Sequence, residues 1–333
     1  MNFNRILVTG SEGFVGRHLM SALGSAFPAA EIIGSSRSPE HGELLEITDG
    51  EQTCEALSRL QPDVCVHLAG IAAIGTARSN PRQAWDVNLH GTLNVANAIL
   101  MAAPQCRLIF ISSAECYGAS FKAGVPLSED ANLAPMNLYA ATKSATELAL
   151  GVLAGEGLRL LRLRPFNHTG PGQNEEFVVP AFAGQIARIE AGLMEPEMAV
   201  GALTPERDFL DIRDVCSAYV ASIQKFDCLP NNQVINIASG MTMRIGAILD
   251  ILLANATRPI AVRQDPSRMR PVEIIRALGD ASRARALLDW QPRFALEDTL
   301  KAVLNFARQQ TSLGSVSSGR RFKRATIDVR RQE

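Results

Sequence analysis

One stretch near the N-terminus limits what this chain can fold into: Ile6-Leu7-Val8-Thr9-Gly10-Ser11-Glu12-Gly13-Phe14-Val15-Gly16. A short apolar strand runs into glycines at 10, 13 and 16 and then into a helix. Gly10 permits a tight turn, Gly13 lets the backbone approach a pyrophosphate, and Gly16 allows close helix–strand packing. The helix N-terminus then offers N–H groups and the positive end of its dipole to phosphates. This GxxGxxG spacing, set between a strand and a helix, predicts a dinucleotide site rather than a mere turn.

The rest of the first half fits that start. Strands are expected at Arg5–Thr9, Glu31–Ser35, Val64–Leu68, Leu108–Ser112 and Arg159–Arg164, with helices at Gly13–Leu23, Gly50–Leu60, Pro81–Ala103 and Leu138–Leu153. The strand candidates are short and continuously apolar, as strands buried on both faces must be. Strand–helix alternation predicts an α/β fold with a doubly wound parallel sheet. From about Phe166 the rhythm breaks into a Pro-rich stretch, followed by helices at Val179–Gly192 and Asp211–Ile223 and a strand at Val234–Ile237. Residues 241–305 read as helical, with a Pro- and Arg-rich loop at Asp265–Val272. The expected organisation is a dinucleotide-binding domain over 1–165 and about 211–238, and a second domain over about 166–210 and 239–310. Residues 311–333 have linker composition and are expected to be disordered.

Composition excludes several classes. Lys+Arg 33 against Asp+Glu 34 leaves a net charge of −1, which disfavours a nucleic-acid binder. The positive charge gathers at the end, with Arg320, Arg321, Lys323, Arg324, Arg330 and Arg331 among the last fifteen residues. No apolar run approaches the roughly 18 residues of a membrane helix, and the start lacks a signal-peptide pattern. The six cysteines show no CxxC pair and read as reduced thiols of a cytoplasmic protein. The scattered histidines give no expectation of a metal; His168 reads as a packed or loop-capping residue.

The second strand ends Gly34-Ser35-Ser36-Arg37, without the acidic residue that holds the ribose hydroxyls in an NAD site. Arg37 suits a 2′-phosphate, with Ser35 and Ser36 as donors. NADP(H) is favoured, and NAD(H) remains open. Further on, Tyr139-Ala140-Ala141-Thr142-Lys143 is YxxxK, which on a helix puts a phenol beside an ammonium. A nearby cation is expected to lower the phenol's pKa and make it a proton donor to a carbonyl that receives hydride. Upstream, Ile109-Phe110-Ile111-Ser112-Ser113-Ala114-Glu115-Cys116-Tyr117-Gly118 is a strand ending in a serine pair, a source of a hydroxyl for that carbonyl.

Together these motifs resemble the extended short-chain dehydrogenase/reductase family, also known for its NAD-dependent epimerases and dehydratases. The resemblance covers residues 5 to about 305. It implies Ser113, Tyr139 and Lys143 as the catalytic set. It also implies a cofactor lined by Gly10, Glu12, Gly13, Phe14, Val15, Gly16, Arg37, Ser112, Tyr139, Lys143 and Pro165. His67-Leu68-Ala69-Gly70 matches the cofactor-lining segment, giving Leu68, Ala69 and Gly70, and Val87-Asn88-Leu89-His90-Gly91-Thr92 brings the family's Asn88. Glu46-Ile47-Thr48-Asp49 resembles the adenine-contacting segment, with Glu46 where the family has Asp. The family implies a Rossmann domain, a smaller substrate domain and a homodimer formed through two helices per subunit.

Second-half motifs, among them Leu163-Arg164-Pro165-Phe166-Asn167-His168-Thr169-Gly170-Pro171-Gly172-Gln173, look like the GDP-4-keto-6-deoxy-mannose reductases and their GDP-mannose 4,6-dehydratase relatives. By position, the resemblance puts Asn167, Arg207 and Arg270 on a diphosphate, Val178 and Arg188 at a guanine and Glu273 on a ribose. Arg supplies the bidentate fork a diphosphate needs. Glu115, two residues past Ser113, matches the base of the dehydratases, and contacts a sugar hydroxyl if the chain is a reductase. The favoured expectation is NADP(H)-dependent reduction of a GDP-4-keto-6-deoxy-hexose to GDP-rhamnose. A nucleotide-sugar 4-epimerase, a dehydratase and, remotely, a non-enzymatic dinucleotide-sensing scaffold stay open.

Overall fold

The structure is a computed structural model that describes residues 3–38, 42–269 and 274–328, with side chains as far as residue 313. Its frame is a seven-stranded parallel sheet. Strands β1 (Arg5–Thr9), β2 (Glu31–Ser36), β3 (Glu43–Leu44), β4 (Val64–His67), β5 (Arg107–Ile111) and β6 (Arg159–Pro165) are joined by Gln233–Ile237. The order across the sheet is Gln233–Ile237, β6, β5, β4, β1, β2, β3. It reverses direction between β1 and β4, where Thr9 pairs with His67. Ligands of such sheets bind outside the strand ends at this switch point, and Gly10 and Leu68 emerge there side by side.

The strand sequences account for the layering. Ile6 and Val8 point to one face, where they meet Leu19, Leu23, Val66, Ile109 and Tyr219. Leu7, Cys65, Leu108 and Phe110 point to the other, against Leu57, Val95, Ile99 and Leu150. Each such apolar side chain contributes about 1.5–3 kcal/mol on burial, so both faces hold their helices.

The chain divides into two units, the first comprising 1–168, 206–243 and 273–294 and the second 169–205, 244–272 and 295–333. Segment 274–294 thus sits in the first unit, whereas the sequence reading groups it with the second domain. Its reason is packing: Ala284, Leu288 and Trp290 join the core around Tyr219, and Leu127 donates to the Leu278 carbonyl at 3.0 Å. In the second unit, helix Val178–Glu190 packs on helix Leu296–Asp328. Arg308 clamps the Glu190 carboxylate through Nε at 2.7 Å and Nη2 at 2.8 Å.

Residues 241–305 are not helical throughout. Ala261–Gln264 is a strand paired in parallel with Glu197–Val200, and Arg276–Ala277 pairs with Glu206–Asp211. These strands are short and in part exposed, so neither apolar run nor alternation marks them. No helix end marks residue 311; the last helix continues to Asp328. Among the described residues no helix is long and apolar enough to cross a membrane.

Candidate active site

Gly10 has φ +71°, and a Cβ there would lie 2.9 Å from the Ala69 backbone, so the loop and the segment after β4 touch. Helix Phe14–Ala26 begins at Gly13 with no side-chain cap and no acidic residue in its first turn. Its first N–H groups are therefore left for an anion, as a dinucleotide pyrophosphate requires. Beside them, Ser11, Glu12, Arg17, Met20, Ile32, Gly34 and Gly42 line a cavity of about 750 Å³. Phe14 and Val15 are half-buried in this turn and Gly16 is buried. These residues fit a dinucleotide.

The rest of the expected cofactor set gives a mixed picture. Arg37 is exposed at the end of β2. Ser36 does not face outward as a donor: its hydroxyl donates to the Ser38 carbonyl at 2.9 Å and accepts from Ser38 N at 3.0 Å. The Ser35 hydroxyl is buried and unpartnered. The Glu46 carboxylate accepts from the Thr48 hydroxyl at 2.9 Å. Asp49 caps helix Gly50–Leu60 through Gln52 N at 3.0 Å, so local capping engages both carboxylates. Ile47 is buried, Leu68 and Ala69 are half-buried, Gly70 is exposed, and Pro165 closes β6.

Asn88 sits where the helical run Pro81–Ala102 widens into one π-helical turn, Asp86–Gly91. Its Oδ1 accepts from Ile71 N at 2.7 Å, and its Nδ2 donates to the Ile71 carbonyl at 3.1 Å and to Thr142 Oγ1 at 3.0 Å. It thereby ties the cofactor-lining segment to the YxxxK helix, Leu138–Gly155. His67 continues the link, with Nδ1 2.8 Å from Thr9 Oγ1 and Nε2 3.0 Å from Thr92 Oγ1. Burial, aided by the Lys143 charge, lowers its pKa to about 3, so it stays neutral.

Ser113, Tyr139 and Lys143 are brought together and buried. Ser113 leaves β5 in extended conformation and caps a 3₁₀ turn, its Oγ accepting from Glu115 N at 3.1 Å. That geometry leaves the hydroxyl proton available to a substrate oxygen. The Ser113 side chain is near enough to the Tyr139 phenol to oppose the effect of burial on it. Lys143 Nζ donates to the Ile111 carbonyl at 2.8 Å and lies 4.8 Å above the Phe110 ring.

The expected lowering of the phenol pKa by Lys143 is not what the structure shows. Burial raises the Tyr139 phenol above its ordinary value, with Ser113 opposing. The ammonium is turned to Ile111 and Phe110, and burial lowers it to about 8. A tyrosine already keeps its proton at neutral pH at its ordinary value of about 10, and burial here works in the same direction.

Glu115 lies beside this set. Asn137 caps the YxxxK helix by accepting from Ala140 N at 2.8 Å and donates from Nδ2 to Glu115 Oε2 at 3.1 Å. Arg207 is in electrostatic reach of Glu115, which favours its charge while burial opposes it. Asn167 is exposed at the start of its short strand. His168 stacks on Phe14 at 6.3 Å and its Nδ1 lies 2.9 Å from the Phe166 carbonyl, as a loop-capping residue does.

In the second unit, Val178 opens a helix on which Arg188 stands ten residues later, about 15 Å along the axis. In this structure Arg188 makes a bidentate pair with Glu175 at 2.7 and 2.8 Å. It lines a cavity of about 530 Å³ with Gly184, Leu193, Val303 and Phe306. Arg270 and Glu273 lie outside the described residues.

Sequence reasoning missed Asn137, whose signal was an N-cap Asn before Leu138. It also missed a buried ionic group behind Ser113, formed by Glu147 and Arg164, for which one sequence gives no spacing signal.

Residues 7–303 match the sequence model of the GDP-mannose 4,6 dehydratase family. GDP-6-deoxy-D-mannose reductase of Pseudomonas aeruginosa is 35% identical over 90% of this chain and 96% of its own. GDP-6-deoxy-D-talose 4-dehydrogenase of Aggregatibacter actinomycetemcomitans is 27% identical over 90% and 95%. Among solved structures, RMD from Pseudomonas aeruginosa complexed with NADPH superposes with a TM-score of 0.81 at 32% identity, covering 92% of this chain and 99% of that one. UDP-glucose 4-epimerase of Thermus thermophilus, with NAD, has a TM-score of 0.79 at 23% identity over 91% and 99%, a likeness of fold.

Proposed function

We infer the function from the fact that this chain belongs to the GDP-mannose 4,6-dehydratase family: it is a nucleotide-sugar oxidoreductase that reduces GDP-4-keto-6-deoxy-mannose to GDP-rhamnose with NADPH. The relative at 35% identity is a GDP-6-deoxy-D-mannose reductase, and the solved relative at 32% holds NADPH. The observation that carries the reading is the buried set Ser113, Tyr139 and Lys143 in a chain 35% identical to that reductase.

When bound, reduced nicotinamide supplies hydride to the ketone carbon C4. Ser113 donates its free proton in a hydrogen bond to the ketone oxygen, which stabilises charge developing there. Tyr139 passes its proton to the same oxygen as it becomes an alkoxide; the alkoxide is a far stronger base than a phenolate, so a raised phenol pKa does not impede the step. Lys143 holds the nicotinamide ribose hydroxyls. Gly10, Gly13 and the first turn of the helix after them hold the pyrophosphate, and Arg37 takes the 2′-phosphate. Glu115, anchored by Asn137 and facing Arg207, binds a sugar hydroxyl rather than removing a ring proton.

Asn167 and Arg207 are assigned to the diphosphate side of the substrate and Val178 to the base. The first unit serves as the dinucleotide-binding part and the second as the nucleotide-sugar part. The active form is a homodimer: Met101 on one helix and Leu148 and Val152 on the catalytic helix expose 78%, 67% and 65% of their surface, a patch that association covers. Free thiols throughout the described chain suit the cytoplasm.

The test is to mix the protein with GDP-4-keto-6-deoxy-mannose and NADPH and follow the nicotinamide absorbance. One NADPH consumed per sugar, with a new GDP-6-deoxyhexose, supports the reading. No consumption, with GDP-mannose dehydrated or a UDP-sugar epimerised instead, replaces it; no conversion of any of them leaves a dinucleotide sensor.

A further inference from the structure

Tyr139, Lys143 and Glu147 follow one another at four-residue steps, so they share one face of the catalytic helix. Glu147 has a fully buried side chain, and its partner Arg164 is 5% exposed. Arg164 Nε reaches Oε1 at 2.9 Å and Nη2 reaches Oε2 at 2.6 Å. The Ser112 hydroxyl donates to the same carboxylate. Arg164 Nη1 goes on to Tyr117 Oη at 2.9 Å, which donates to Asn236 Oδ1 at 2.7 Å. A buried pair of this kind gains little net stability, because removing two charges from water costs about what their attraction returns. Its placement is informative, because it is bonded to the residue immediately before Ser113.

We propose that Glu147 is a positioning residue of the reaction: through Ser112 it fixes the strand end that carries Ser113, and it supplies the buried negative charge facing Lys143. The proposal rests on the reductase reading for its turnover readout alone. The strand end is otherwise held on this side by backbone bonding, Ser112 N donating to the Leu163 carbonyl at 2.8 Å. The turn itself is closed by Cys116 N on the Ser113 carbonyl at 3.2 Å and Glu115 N on Ser113 Oγ at 3.1 Å, and the Ser112 bond to Glu147 ties that turn to the helix carrying Tyr139 and Lys143. Lys143 is faced by His67 from β4, which burial keeps neutral, by the Phe110 ring and Ile111 carbonyl from β5, by the Cys116 thiol from the 3₁₀ turn, and by Tyr139 and Glu147 from its own helix. Glu147 is the carboxylate among them, and it is held by Arg164. Burial lowers the ammonium pKa, and Cys116 and Glu147 oppose that fall.

Two variants separate positioning from mere support. Ser112→Ala cuts the link and leaves the ion pair whole. Glu147→Leu with Arg164→Met replaces two of the charges by apolar groups of similar size; Arg162, whose Nη1 lies 3.9 Å from Glu147 Oε2, loses that neighbour but keeps its bond to the Asn232 carbonyl at 2.9 Å. Thermal unfolding, NADPH affinity from pH 6 to 9, kcat and KM are measured for each. Ser112→Ala is expected to lose about tenfold in kcat with KM near wild type, about 1.4 kcal/mol of barrier. In the double variant the alkaline weakening of NADPH binding should begin at a lower pH than in the wild type, because the carboxylate that opposes the fall of the Lys143 pKa is gone. Unchanged kcat and an unchanged binding profile, or losses that only follow the unfolded fraction, overturn the proposal. If the double variant does not fold, Ser112→Ala decides by kcat. A wild type that binds NADPH without reducing the sugar sinks the reductase reading, and the binding profile, which needs no sugar, then decides the role of Glu147.

Discussion

Replacing Tyr139 by Phe removes one hydroxyl and leaves the ring in place. The ring is 8% exposed and packs with Ala77 and Ala84, contacts that Phe keeps. Removing the hydroxyl forgoes at most the worth of one side-chain hydrogen bond, about 1 kcal/mol, so the fold should lose no more than that. Catalysis should lose far more. A positioned general acid contributes about 10²–10⁴ in rate, which is about 3–5 kcal/mol of barrier. Steady-state NADPH oxidation should therefore fall at least a hundredfold, while NADPH affinity, measured by fluorescence, stays within about threefold. The pH profile adds a second reading of the same site. Burial holds the phenol above its ordinary value, so the first alkaline loss in the wild type should come near pH 8, from Lys143, rather than from Tyr139. A Phe variant that keeps a tenth or more of wild-type turnover refutes Tyr139 as the donor.

Other consequences follow from particular residues. His67 has a folded pKa of about 3 against 6.5 unfolded, so the unfolded chain binds more protons between those values and stability falls as pH drops through that window. At pH 5 this amounts to about 2 kcal/mol relative to pH 7.5, and His67→Gln should flatten that part of the stability–pH slope; an equal slope contradicts the assignment. Gly16→Ala sets a Cβ 2.4 Å from the Gly10 carbonyl oxygen and 2.6 Å from that of Ser11, and should cost about 1–3 kcal/mol and weaken NADPH binding. Gly24→Ala, in the same helix with nothing within 4 Å, should stabilise by about 0.5–1 kcal/mol. Leu148→Glu should turn a dimer into monomers by light scattering, and an unchanged mass places the interface elsewhere.

What was legible in the sequence was local or periodic. Continuous apolar runs at residues 6–8 and 64–66 marked the strands Arg5–Thr9 and Val64–His67, because both faces of their centres are buried. The glycine spacing marked the loop because backbone approach there excludes a side chain. What escaped depended on residues far apart in the chain. Glu147 and Arg164 meet only because β6 lies under the catalytic helix. The π-helical turn at Asp86–Gly91 has no period of its own, so Asn88 was found by family likeness and its bonds to Ile71 and Thr142 were not. Lys143 was expected to act on Tyr139 through i,i+4 spacing alone, but spacing does not tell which way a long side chain turns, and it turns to β5. Ser36 likewise bonds within its own loop, a local competition that polar residues near turns often win.

The central claim is hydride transfer from NADPH to C4 of a GDP-4-keto-6-deoxy sugar at the Ser113–Tyr139–Lys143 site. The most direct test is a single turnover with NADPH deuterated on the transferred face of the nicotinamide, followed by NMR of the product sugar. Deuterium at C4 of a GDP-6-deoxyhexose is the expected result, and its coupling pattern shows whether that sugar is the rhamnose or the talose isomer. Product formed without deuterium at C4, or deuterium retained on the cofactor, contradicts the account.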